Sequence, residues 1–143
     1  MRRGLLVIAL GISFLILMTW LGTIITSIIP QKATAQVQTA DAGPYTITLQ
    51  VNPNPPLITQ PARLSIQVVM RSSQQAVSNA HVAIESDMES MDMGTAHIDA
   101  KSQGNGMYMA DVQFAMSGLW QVQVVVMKPG SQPVTATFEV TAQ

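Results

Sequence analysis

The sequence predicts an all-β fold: an immunoglobulin-like antiparallel β-sandwich of about seven strands, preceded by one N-terminal transmembrane helix. Three observations carry this expectation. Residues 4–29 hold no charged side chain. After Pro44, short segments alternate apolar and polar residues, the period-two signature of half-buried strands. Between those segments stand Gly, Pro and Asn clusters that break strands and make turns.

The uncharged stretch is 26 residues long, and about 20 helical residues cross a hydrocarbon core. It is rich in Leu and Ile, from Leu5 to Leu17, with Trp20 in its outer half. Arg2 and Arg3 precede it, which sets the N-terminus in the cytoplasm and the remainder outside. Pro30 is a natural helix end. Ala33-Thr34-Ala35 also matches the small-x-small pattern ahead of signal cleavage, so a domain secreted after cut at Ala35 is the alternative. The apolar run exceeds the ~7–15 residues of a signal-peptide core, which favours an uncleaved single-pass anchor. Residues 1–30 are thus read as anchor or signal, 31–43 as a flexible, small and polar tether, and 44–143 as the exported domain.

The first strand of that domain is Tyr45–Val51, where Tyr45, Ile47, Leu49 and Val51 share one face. Asn52-Pro-Asn-Pro-Pro56 ends it, since proline gives no ladder hydrogen bond. Leu64, Ile66, Val68 and Met70 form the next inward row, followed by Ala80, Val82 and Ile84. Ala96, Ile98 and Ala100 mark a short fourth strand. Tyr108, Ala110, Val112 and Phe114 face inward on the fifth, with Met107 and Met109 outward. Trp120–Val126 and Val134–Val140 supply the last two. Gly104-Asn105-Gly106 and Lys128-Pro-Gly-Ser131 read as hairpin turns.

Charge and composition exclude several functions. Beyond Lys32 there are four basic residues against eight acidic ones, and nucleic-acid binding needs clustered Lys and Arg. The chain has no cysteine, hence no disulfide and no lipid-modified N-terminal Cys. No phosphate loop, His-Glu-x-x-His or Gly-x-Ser-x-Gly occurs. No enzyme is expected.

The stretch with most chemical content is Met88-Glu-Ser-Met91-Asp-Met93-Gly-Thr-Ala-His97. It holds three thioethers and one of two imidazoles. Thioether sulfur is a soft donor that suits Cu(I), and carboxylates nearby (Glu85, Asp87, Glu89, Asp92) favour any cation. The oxygen spacing of a calcium loop is missing. In an extended strand, Met91, Met93 and His97 share the outward side; a bulge at Gly94 would reverse the two methionines. A hairpin turning near Gln103–Asn105 places His97 opposite Met109 or Met107. Met91, Met93 and His97 are therefore the expected ligands, with Met88, Met107, Met109 and Met116 in reserve. Other readings stand beside this one: the methionines pack a core, or form an adaptable protein-contact surface. His81, outward on its strand, reads as an ordinary solvated histidine.

Met91-Asp-Met93-Gly94-Thr95, Gly106-x-Tyr108, Val112-x-Phe114-x-Met116-x-Gly118-x-Trp120 and the Val122/Val124/Val126 strand resemble the YtkA-like/FixH-like family of small bacterial exported domains. Pro55-Pro56, Leu64-Ser-Ile66 and Val77-x-x-Ala80-x-Val82 fit its opening strands. The resemblance spans about residues 45–141. It implies an immunoglobulin-like sandwich outside a bacterial membrane, behind one anchor, and associated with copper handling or cytochrome oxidase assembly. Met91, Met93 and Met116 fall on the family's methionine positions, and His97 on a position for histidine or another polar residue. The expectation is a membrane-tethered domain that binds or passes Cu(I), with no other cofactor and a membrane-protein or copper-protein partner. The alternative is a metal-free assembly module of a membrane complex.

Overall fold

The computed structural model describes residues 11–16, 34–88 and 90–143, without the side chains of Met91, Asp92 and Met93. The chain divides into two compact units, Met1–Gln31 and Lys32–Gln143. In the first, residues 11–16 are helical, with Ile12, Phe14, Leu15 and Ile16 exposed. Among the described residues no helix is long and apolar enough to cross a membrane; most of the expected span over residues 4–29 lies outside them.

The second unit is eight antiparallel strands: β1 (Val37–Ala42), β2 (Tyr45–Asn52), β3 (Ala62–Met70), β4 (His81–Met88), β5 (Met91–Gly104), β6 (Met107–Val112), β7 (Gly118–Met127) and β8 (Val134–Ala142). They follow one continuous order, β1-β2-β3-β6-β5-β4-β7-β8. The order is continuous because β5, 14 residues long, serves two partners. Its first part pairs with β4, from Met91 opposite Met88 to Ala100 opposite Val82. Its last part pairs with β6, Lys101 opposite Met109 and Gly104 opposite Met107. The outermost strands then meet: Gln38 Nε2 on β1 donates to the Glu139 carbonyl on β8 at 2.6 Å. Beside them a Cβ on Gly43 would stand 2.9 Å from Val134 Cγ1. The expected seven-stranded sandwich is therefore an eight-stranded antiparallel sheet, nearly closed into a barrel, and closure protects strand edges from other chains.

The additional strand is β1, which occupies nearly half of the segment expected to be a tether. Its residues, Val-Gln-Thr-Ala-Asp-Ala, carry little apolar surface, so composition alone reads as linker. Backbone pairing supplies what side chains do not: Val37 to Ala42 pair with Gln50 to Tyr45 across a two-residue Gly43-Pro44 turn. Order extends back to Thr34, whose carbonyl accepts from Asn54 Nδ2 at 2.8 Å and whose hydroxyl accepts from the Thr141 amide at 3.2 Å.

The predicted inward rows form the core. Ile47, Leu49, Val51, Leu64, Ile66, Val68, Val82, Ile84, Tyr108, Val112, Phe114, Val122, Val124, Val126 and Val140 are buried. Met70 packs half-buried against them, as do Ile98 and Ala100. Phe114 and Trp120 meet edge to face, centroids 5.4 Å apart, a favoured aromatic geometry. Tyr108 brings a polar tip into this core. Its hydroxyl donates to the Val77 carbonyl at 2.7 Å and accepts from the Ala80 amide at 3.3 Å, which pins the β3–β4 connection just before His81. The β5–β6 turn is tight, with φ of +88°, +52° and +71° at Gly104, Asn105 and Gly106. Only glycine fits at the last: a Cβ there would lie 2.5 Å from the Val68 carbonyl oxygen.

Candidate functional site

Strand register sorts the chain's donors into two groups. The first gathers where β4 ends and β5 and β7 begin. Met88 opposes Met91 on β5 and Trp120 on β7. Trp120 Nε1 donates to the Met116 carbonyl at 3.0 Å. Met88, Met116 and the backbone of Met91–Met93 thus lie at one end of the barrel. The chain enters the domain at this same end, since Thr34 bonds Thr141 beside the close of β8.

The members of this group differ in access. Met88 is buried, 8% exposed, and its methyl carbon fills the space a Cβ on Gly118 would need, 2.6 Å away. It is a core residue and not the exterior donor held in reserve; even parity on β4 points it inward with Val82 and Ile84. Met116 is half-buried and packs against the core. The side chains of Met91 and Met93, two of the three principal expected ligands, lie outside the described residues. Their backbone is irregular: pairing shifts between Ser86 and Met88, and Gly94 has φ of +81°. The straight, shared-face strand expected from Met91 to His97 is therefore interrupted at Gly94.

The second group is on the outer face of the β4–β5 hairpin. His97 opposes Glu85, and Asp99 opposes Ala83. His97 Nδ1 lies 3.4 Å from Glu85 Oε1, and its Nε2 lies 3.4 Å from Asp99 Oδ1. His81 Nε2 lies 3.3 Å from the same Asp99 oxygen. Both imidazoles of the chain therefore share one carboxylate oxygen. His81, read from sequence as merely solvated, belongs to this group, and so does Asp99. Parity gave the signal that both histidines face out; the β4–β5 register that makes them neighbours does not follow from parity.

The expected approach of His97 to Met109 or Met107 does not occur. Met109 opposes Lys101 and Met107 opposes Gly104, four or more residues along β5 from His97, on the order of 13 Å at ~3.3 Å per residue. The turn is centred on Asn105 and tight, which shifts the register four residues from the expected one. Met107 and Met109 do hold the outward face and are half-buried. Met109 instead lines a cleft of about 470 Å³ with Arg63, Ile98, Asp99, Lys101 and Asp111, where β5 parts from β6. Within it Arg63 Nε donates to Asp111 Oδ1 at 3.1 Å. As the side chains stand, no three His, Asp or Glu among the described residues surround an ion-sized point.

The fold matches a solved structure, the PmoD soluble domain from Methylocystis sp. ATCC 49242 (Rockwell), with a TM-score of 0.52 at 14% identity. The match covers 77% of this chain and 98% of that one. No curated protein sequence matches. A family model described as YtkA-like matches residues 39–125, more than half of the chain and every strand from β2 to β6. The chain belongs to the YtkA-like family.

Proposed function

We propose that this chain is a membrane-tethered, extracytoplasmic domain that binds or passes Cu(I) through Met91, Met93 and His97, in copper handling or oxidase assembly. The observation that carries the reading is the β4–β5 hairpin, which sets Met91 and Met93 beside its turn and an exposed His97 further along the same strand. Glu85 to Met88 on β4 is three residues, so the His97 and Met91 rungs are about 10 Å apart. Long, unbranched methionine side chains help close such a gap, and the Gly94 irregularity lets the backbone bend between them. Met116 adjoins the same end of the barrel, which makes it the favoured additional thioether. Met107 and Met109 are too distant to join, and Met88 serves the core.

Thioethers and one imidazole satisfy Cu(I) without thiols, which oxidise outside the cell. No turnover chemistry is part of the reading. Titration of the domain with Cu(I) under reducing conditions tests it: Met91→Leu, Met93→Leu combined is expected to weaken binding, and unchanged affinity would remove these ligands.

A second reading has its own observation. Met107 and Met109 hold an outward, half-buried row on β6 beside an open cleft, and soft apolar surface of this kind suits a protein partner. A stable metal-free complex with a membrane protein, lost on Met109→Lys, would favour an assembly module.

A further inference from the structure

The two imidazoles of this chain stand on one outer sheet face, and both direct Nε2 at a single oxygen atom. The register produces this. His81 and Glu85 flank Ala83 on the outer row of β4, and Asp99 on β5 opposes Ala83. His97 opposes Glu85, so His81 and His97 are diagonal neighbours astride Asp99, within reach of long side chains across a sheet. Ala83, the small residue between them, is fully covered. Two ring nitrogens stand at 3.3 and 3.4 Å from the same Oδ1, so two nitrogen donors converge on one point beside a carboxylate. The remaining nitrogen of His97 contacts Glu85 Oε1, the orienting arrangement that metal-bound imidazoles use to fix their tautomer and direction.

We propose that His81, His97 and Asp99 form a surface site for one divalent transition-metal ion, Cu²⁺ foremost, with Glu85 orienting His97. Two imidazoles and a carboxylate are a borderline N/O donor set, and among divalent first-row ions such a set holds Cu²⁺ most strongly. The ion takes the position that Asp99 Oδ1 now fills between the rings, and the carboxylate turns aside to bind it. As the side chains stand, no three acidic or imidazole groups among the described residues surround an open point, so binding requires the carboxylate and both rings to shift. His81, His97 and Asp99 are 54%, 55% and 64% exposed, so the side chains are free to reorient, and water completes the coordination. Glu85 and Asp87 on the outer row of β4 add negative potential. Lys101, the next outward residue of β5, is the opposing charge. Met127 on β7 opposes His81 and is exposed, so it borders the site on the far side. The site shares His97 with the Cu(I) reading above but uses neither Met91 nor Met93, and it stands if that reading fails.

The test titrates the full chain in detergent micelles with CuCl₂ in air against a competing chelator, read by electron paramagnetic resonance. One tight equivalent with coupling to two imidazole nitrogens is expected. His81→Gln and Asp99→Asn should each weaken Cu²⁺ binding about 10–100-fold or more, the loss seen even for outer ligand-supporting groups. His81→Gln should also remove one nitrogen from the spectrum. Met91→Leu, Met93→Leu should leave Cu²⁺ affinity unchanged, whatever it does to Cu(I). Circular dichroism matching the parent confirms that each variant is folded, as exposed positions lead one to expect. Equal Cu²⁺ affinity in parent and His81→Gln, or a spectrum with the same nitrogen count in both, would overturn the proposal and leave the three side chains an ion-pair cluster.

Discussion

Replacing Tyr108 by Phe removes one oxygen atom and tests how the start of β4 is held. The ring is buried, 1% exposed, and Phe fits the same space. The hydroxyl has two backbone partners. It donates to the Val77 carbonyl at 2.7 Å in a buried bond and accepts from the Ala80 amide at 3.3 Å in a longer, part-buried one. A buried group left without its partner costs about 1–3 kcal/mol. The Val77 carbonyl carries most of that cost, because water reaches the half-buried Ala80 amide more readily. The expected loss is about 2–3 kcal/mol, a sizeable share of the 5–15 kcal/mol typical of a domain. Urea unfolding of residues 32–143, followed by Trp120 fluorescence, should show a lower midpoint with an unchanged slope; at ~1–1.5 kcal/mol/M the shift is roughly 1.3–3 M. A loss below about 0.5 kcal/mol would refute the assignment of this hydroxyl as the pin. The consequence reaches the outer face, since Ala80 is the residue before His81: loosening the pin should raise hydrogen exchange at His81 and Val82 before it raises exchange in β7.

Three other substitutions probe distinct terms. Gly106→Ala should destabilise by about 2–3 kcal/mol, because φ is +71°, left-handed backbone costs an L-residue roughly 1–2 kcal/mol, and the new methyl meets the Val68 carbonyl oxygen; thermal unfolding reads it. Met88→Ala should cost about 2–4 kcal/mol by opening a cavity beside Gly118 and Trp120, whereas Met88→Leu should cost under about 1.5 kcal/mol, and chemical denaturation of both separates a packing role from a ligand role. Arg63→Ala should change stability by less than about 1 kcal/mol, since the Arg63–Asp111 pair is 58% and 59% exposed and such pairs contribute little in water.

The parts of the fold that bury a continuous apolar row were legible in the chain. Tyr45–Val51 alternates strictly and Leu64–Met70 and Trp120–Val126 do so apart from Val69 and Val125, and all three are strands with the expected face inward. β1 was not legible because Gln, Thr, Ala and Asp give no hydrophobic signal; its place is fixed by main-chain pairing with β2 and by its contact with β8. At the site, the outward direction of His81, His97, Met107 and Met109 followed from parity. Their neighbours did not, because neighbours depend on register, and register on turn length. A turn centred on Asn105 moves His97 four residues from Met109. The antiparallel pairing of β4 with β5 carries His97 to Glu85 and His81 to Asp99.

Cu(I) affinity measured under reducing conditions with a competing chelator bears most directly on the proposed role. The parent domain should take up one equivalent. Met91→Leu, Met93→Leu should lose at least about tenfold in affinity, since leucine keeps the bulk and removes the soft sulfur donors. Identical affinity in parent and double variant, or no uptake by the parent, would contradict the account.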